Sequence, residues 1–243
     1  MKKNSSKQIN SEKLQKILAR EGLASRREIE RWIADGRIKL NGKLATLGDR
    51  ASLTDKITVD GNPVNISTDV TTRVLLYHKP EGEICTRNDP EGRPTVFAKL
   101  PVLHDGRWIS IGRLDINTCG ILLFTNDGDL ANKQMHPSSE IEREYACRVN
   151  GEISPASLSR LRKGVKLEDG MGKFDMIEKS GGEGKNQWYH VIVKAGRNRL
   201  VRRLWESQNI SVSRLIRVRY GIIVLPRSLK SGEWKEISAS DLF

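Results

Sequence analysis

Apolar positions first recur at helical spacing and then shift to strand spacing. Leu14, Ile17 and Leu18 fall at i, i+3 and i+4, which predicts a short helix capped by Ser11 and ended by Gly22. Ser25 and Glu28 form the S-x-x-E pattern of a capping box, and Ile29, Trp32 and Ile33 repeat the helical spacing up to Gly36. Arg37-Ile38-Lys39-Leu40 then alternates as a strand does, with Asn41-Gly42 as a tight turn, and Lys56-Ile57-Thr58-Val59 alternates again up to Asp60-Gly61.

After a polar stretch from Ser67 to Thr72 the chain becomes strand-rich. Strands are predicted over 73–78, ended by Lys79-Pro80, and over 109–114, 121–125, 145–149 and 188–194. Asn126-Asp127-Gly128 predicts a turn and helix cap. One helix opens at Ser154-Pro155, with proline in the favoured first position, and stops at Gly164; another covers about 198–206. Gly181-Gly182-Glu183-Gly184 reads as a flexible hairpin connection. Strands and helices without strict βαβ alternation predict an α+β fold around a mixed, largely antiparallel sheet flanked by helices. The expected organisation is a mobile basic arm over 1–10, a small α/β unit over 11–70 and a larger domain over 71–243.

Composition narrows the class of partner. The 243 residues suffice for one sizeable core and an accessory domain, and 37% are hydrophobic. The net charge is +12, and between His190 and Tyr220 eight Lys or Arg face a single acid, Glu206. A localised basic surface points to a polyanion, since each phosphate neutralised releases counterions. Cys85, Cys119 and Cys147 form no C-x-x-C pair and predict neither disulfides nor zinc. The four histidines have no ligand spacing. With neither a signal peptide nor an apolar run of membrane-spanning length, the expectation is a soluble, cytoplasmic protein with no metal and no cofactor.

The densest pattern is Gly112-Arg113-Leu114-Asp115-Ile116-Asn117-Thr118-Cys119-Gly120, continuing through an apolar run to Thr125-Asn126-Asp127-Gly128. A lone Asp in a loop is usually a turn former. This whole stretch, however, resembles the catalytic motif of the RsuA/RluB group of ribosomal RNA pseudouridine synthases. Glu142-Arg143-Glu144-Tyr145 resembles the group's second motif, Gly196-Arg197-Asn198-Arg199-Leu200-Val201-Arg202-Arg203 its third, and Arg214-Leu215-Ile216-Arg217-Val218-Arg219-Tyr220-Gly221 the strand that closes its uracil pocket. Asp89-Pro90-Glu91-Gly92-Arg93-Pro94-Thr95 is similar to a loop of the large-subunit members in particular. Residues 11–70, with Leu23-Ala24-Ser25-Arg26-Arg27, resemble the S4 RNA-binding domain, and together the likeness covers about 11–230. It departs at Leu200, where the group more often has Gln, and lacks a basic C-terminal extension.

The resemblance implies isomerisation of a uridine in ribosomal RNA, most of all large-subunit RNA, by base flipping. It implies Asp115, Tyr145 and Arg202 as catalytic residues. Arg113, Leu215, Arg26, Arg27, Arg197, Arg199 and Arg203 are implied as contacts to substrate or RNA. The chemistry suits these types. The bond from N1 to C1′ breaks and one from C5 to C1′ forms, with nothing oxidised and no group imported. A positioned carboxylate can attack C1′ or remove a C2′ proton. Tyr145 would pack on the flipped uracil, and Arg202 would keep Asp115 ionised. The partner is then ribosomal RNA, and the expected state is a monomer. Two alternatives remain at this level: an inactive RNA-binding assembly factor, and an RNA methyltransferase. The latter lacks a glycine-rich donor site after a predicted strand.

Overall fold

The computed structural model describes residues 11–67, 71–103, 106–184 and 186–243. The expected basic arm over 1–10, His104 and part of the polar linker lie outside them. Two compact units form, one from residues up to 71 together with 102–107, the other from 72–101 and 108–243.

In the first unit a strand pair precedes the helices. β1 (Glu12–Lys13) pairs with β4 (Arg50–Ala51), and α1 (Leu14–Arg20) starts directly behind it. Ser11 therefore does not cap α1, whose N-cap is Lys13 without a side-chain bond. Ser11 instead accepts from Arg50 Nε at 3.2 Å. α2 (Arg26–Ala34) has the predicted cap, with Ser25 Oγ accepting from the Glu28 amide at 3.1 Å. The return half of the box is not formed, because the Glu28 carboxylate accepts from Trp32 Nε1 at 3.2 Å and pairs with Arg31.

A four-stranded sheet follows, in the order β3 (Lys43–Leu44), β2 (Ile38–Leu40), β5 (Ile57–Val59) and β6 (Asn62–Val64). Asn41 and Gly42 both have positive φ, 53° and 83°, as does the second turn at Asp60 and Gly61, 51° and 82°. That is the backbone a two-residue hairpin needs to match strand twist. Leu14, Ile17, Leu18, Ile29, Ile33, Ile38 and Ile57 close the core of this unit.

The second unit is built on a nine-stranded sheet among the described residues. β7 (Val74–Lys79), β8 (Ile109–Ile111) and β9 (Cys119–Thr125) come first, followed by α3 (Gly128–Met135). Asp127 caps α3 as predicted, accepting from the Asp129 and Leu130 amides at 2.8 and 3.1 Å. Then come β10 (Arg143–Asn150), α4 (Pro155–Lys163) and a small separate hairpin of β11 (Val165–Leu167) and β12 (Gly170–Gly172). β13 (Met176–Glu183), β14 (Asn186–Val193), α5 (Leu200–Glu206), β15 (Ser211–Tyr220), β16 (Ile223–Val224) and β17 (Trp234–Ile237) complete it.

The spatial order is β13-β14-β10-β15-β9-β7-β17, with β8 on β9 and β16 on β15. Every strand pair in it is antiparallel except β15 with β9. The mixed sheet is as expected. Gly181 and Gly182 are not a connection, however: they belong to β13, paired to Trp188 and Gln187 across a register shift. All seven positions of β9 are buried, because both sheet faces are covered. Ile121 and Leu123 meet Ala131 of α3 and Tyr220 on one side. Phe124 meets Tyr77 and Phe97 edge-on at 6.1 and 5.4 Å.

Candidate active site

β8 stops at Ile111, short of the predicted Leu114, because Gly112 takes φ 80° and turns the chain outward. The loop 112–118 between β8 and β9 is pinned from several sides. The Thr118 amide donates to the Asp115 carbonyl at 3.0 Å and the Gly82 amide to that of Ile116 at 2.9 Å. The Lys79 ammonium, wholly buried at the end of β7, donates to the carbonyls of Thr118 (2.9 Å), Pro80 (2.9 Å) and Ile116 (3.4 Å). Burial lowers the Lys79 pKa, and nearby Cys85, Glu83, Cys119 and Asp115 work against that. On the near side Cys85 Sγ sits 3.3 Å from the Leu114 carbonyl and 3.4 Å from its amide. Four carbonyls and two amides of this loop are thus fixed, which holds the half-buried Asp115 on a rigid support.

The loop forms one wall of a cleft of about 480 Å³, lined by Arg113, Asp115, Thr118, Tyr145, Leu215 and Arg217, with Arg197, Arg199 and Leu200 at another side. That volume falls in the range of small-molecule and cofactor pockets. Tyr145 lies on β10 directly across from Arg217 of β15, and Leu215 lies across from Cys147. One loop and two strands distant in sequence therefore deliver the acid, the aromatic ring and the aliphatic side chain to one place.

The other expected site residues are placed differently. Arg202 is buried and is not among the cleft-lining residues. Its guanidinium donates to the carbonyls of Asn117 and Val212, both at 2.8 Å, and no ion pair to Asp115 is present among the described residues. What Arg202 grips is the loop that carries Asp115, rather than the carboxylate. Arg203 lies outside the lining too, forked onto Asp169 with both contacts at 2.9 Å. Arg197 donates to the same carboxylate at 3.1 Å and to the Met171 carbonyl at 2.8 Å. Two of the expected RNA contacts are thus engaged in pinning the β11–β12 hairpin beside the cleft. The Arg203 fork also pulls the Asp169 carboxyl below its ordinary value.

Arg199 caps α5 in a left-handed conformation, φ 47°, and pairs loosely with Glu206 at 3.3 Å. Arg113 is exposed at the cleft mouth, and Arg26 and Arg27 are exposed in the first turn of α2. Sequence reasoning missed Arg217, Lys79 and Asp169. The first two stand inside or beside quoted motifs, but nothing local marks a buried cation.

No group of three or more His, Cys, Asp or Glu able to hold a metal occurs among the described residues. No helix among them is long and apolar enough to cross a membrane. The thiols are free, and burial raises those of Cys85 and Cys119 and pushes that of Cys147 up to about 12.

Comparison with known proteins gives this arrangement its class. Residues 73–207 match the RNA pseudouridylate synthase family, and residues 12–57 match the S4 domain. The chain is 60% identical over 231 residues to the ribosomal large subunit pseudouridine synthase B of Salmonella typhi, covering 93% of this chain and 79% of that one. It is 57% identical over 238 residues to the protein of the same name from Pasteurella multocida, covering 96% and 69%. A solved structure described as a pseudouridylate synthase superposes with a TM-score of 0.66, covering 95% of this chain and 97% of that one. At 23% identity that match shows the common fold. The chain belongs to the RNA pseudouridylate synthase family and carries an S4 domain.

Proposed function

We propose that this synthase isomerises one uridine of large-subunit ribosomal RNA, with Asp115 as the carboxylate at the sugar. The relatives named large-subunit synthases support the choice of RNA. What carries the site assignment is that Asp115, Tyr145 and Leu215, from three separate strands or loops, line one cleft of about 480 Å³.

The target uridine leaves its stack, which costs a few kcal/mol. Its ring packs on Tyr145, a contact worth roughly 1–3 kcal/mol, with Leu215 on the lining. Arg113, exposed at the mouth, holds the backbone phosphate or fills the space the base leaves. Asp115 then attacks C1′, or removes the C2′ proton, and the electron pair of the C1′–N1 bond departs with the uracil. The base turns, C5 bonds to C1′ as the Asp115–C1′ bond breaks or Asp115 returns the proton to C2′, and the C5 proton is lost as N1 gains one. Arg202 and Lys79 act as positioning residues that hold the 115–118 loop. The S4 unit, with Arg26 and Arg27 exposed, anchors RNA through phosphates. Arg199, on the lining of the cleft, adds a phosphate contact within the synthase domain. The protein works as a monomer in the cytoplasm.

The test is a pseudouridine map of ribosomal RNA from cells lacking the protein, complemented with wild type or Asp115→Asn. One large-subunit position should lose its pseudouridine and regain it only with wild type. An unchanged map, or full restoration by Asp115→Asn, contradicts the proposal.

A further inference from the structure

We infer that Arg217 is a catalytic residue whose guanidinium meets the carbonyl edge of the flipped uracil and takes up the negative charge of the base once it has left the sugar. This inference rests on the Asp115–Tyr145 reading of the cleft.

Arg217 is 2% exposed, yet it lines the cleft. Its Nε donates to the Ile121 carbonyl at 2.8 Å, which fixes the plane of the guanidinium. Its Nη2 is buried and has no hydrogen-bond partner. The arginines around it are bonded otherwise. Arg219, two residues on, is shared by Glu144 and Glu142 at 2.8 and 3.1 Å, and Arg203 is forked onto Asp169. Among the described residues no carboxylate pairs with Arg217. A buried, unmet donor costs about 1–3 kcal/mol, and more for a charged group, so this site keeps a donor waiting for an acceptor. Thr118 Oγ1 and Arg197 Nε, also on the cleft lining, are buried polar atoms without a partner as well, but Arg197 is already held by Asp169 through its Nη1.

The position suits the base. Arg217 is the direct cross-strand neighbour of Tyr145, so the two Cβ atoms stand about 4.5–5.5 Å apart on the same face of the sheet. A pyrimidine stacked on the Tyr145 ring presents its edge to the neighbouring strand, where the guanidinium lies. The Tyr220 ring backs that guanidinium at 5.2 Å and is shared with Arg143, also at 5.2 Å. On its other side Arg217 is in parallel register with Gly120, where the missing Cβ lets the two backbones close up.

The charge argument holds for either route. Attack at C1′ and loss of the C2′ proton both send the C1′–N1 electron pair out with the uracil. That charge spreads from N1 onto O2 and O4 until C5 supplies the pair for the new bond. A fixed, desolvated cation stabilises this species more than the neutral base, and such differential stabilisation accelerates the reaction.

The test compares single-turnover rates on unmodified large-subunit rRNA transcribed in vitro and on the same transcript made with 5-fluorouridine, read as consumption of the target nucleoside. Fluorine at C5 makes the detached ring less basic and leaves less charge to stabilise. Arg217→Gln should slow the uridine transcript roughly hundredfold, the scale of losing one oxyanion donor. RNA affinity should change by no more than about twofold. On the fluorinated transcript the loss should shrink by roughly tenfold. Arg217→Lys, which keeps the charge, should fall between. Equal losses on both transcripts, or a loss confined to RNA affinity, overturn the inference. If circular dichroism shows Arg217→Gln unfolded, Arg217→Lys decides by the same comparison, with a smaller loss. Asp115→Asn is run alongside. Activity in that variant sinks the reading of the site, whereas an inactive Asp115→Asn with equal Arg217 losses sinks only the role of Arg217.

Discussion

Gly120→Ala should destabilise the synthase domain more than its small size suggests. Gly120 has φ 104°, and a Cβ there would lie 2.3 Å from the Arg217 carbonyl oxygen and 2.6 Å from its nitrogen. The backbone strain costs about 1–3 kcal/mol. The clash is with backbone in the parallel pair of β9 and β15, so no side chain can rotate away from it, and overpacking of this kind adds about 1–3 kcal/mol. A combined loss of about 4 kcal/mol, at roughly 3 °C per kcal/mol for a domain this size, lowers Tm by about 12 °C. Gly82→Ala is the control. Its φ is 87° with nothing within 4 Å of the added carbon, so only the strain applies, and Tm should fall by about half as much. Calorimetry or thermal circular dichroism on both variants reads the difference. If Gly120→Ala melts no lower than Gly82→Ala, the close approach of β9 to β15 is not what the glycine serves.

Further outcomes follow from the same contacts. Lys79→Met removes the donor to the Ile116 and Thr118 carbonyls, and a loop shift of about 1 Å can cost up to a hundredfold in rate; kcat should fall at least about tenfold with RNA affinity retained, and an unchanged kcat argues against a positioning role. In Glu144 burial works to raise the carboxyl pKa, but hydrogen bonds from Arg219 and His190 outweigh it and lower it. Its contribution to stability is therefore complete above the unfolded value of about 4.3 and is lost as pH falls through the lower folded value. Denaturant unfolding between about pH 5 and pH 3 should show a shallower loss in Glu144→Gln than in wild type; equal slopes contradict the assignment. The double variant Arg26→Ala with Arg27→Ala should weaken rRNA binding and reduce its salt slope by roughly 1–2. An unchanged slope removes both residues from the RNA contact.

Local patterns carried much of the fold, and their failures have identifiable causes. α2 was legible because Ser25 and the Ile29, Trp32, Ile33 spacing lie within one segment. Glu28 misled because Trp32 and Arg31, one helical turn away, compete for its carboxylate. Ser11 misled because the chain behind it pairs with Arg50–Ala51, a partner that local spacing cannot reveal. Gly181 and Gly182 looked like a loop, yet a strand absorbs them across a register shift.

The site divides in the same way. Asp115, Tyr145 and Leu215 were legible through motifs, and they do line one cleft. That Tyr145 faces Arg217 depends on a register between strands remote in sequence, and that Arg197 and Arg203 close on Asp169 depends on a hairpin docking onto α5. Neither relation leaves a mark on the residues' neighbours in the chain, so a basic motif read as RNA-facing turns out to be partly internal.

The most direct measurement sets Asp115→Asn against wild type on one rRNA transcript, with conversion and affinity read side by side. The replacement keeps the size of the side chain and removes the charge that does the work at the sugar. The account predicts RNA binding within about twofold of wild type and no detectable pseudouridine, a loss confined to the chemical step. Product formed at the wild-type rate would contradict it.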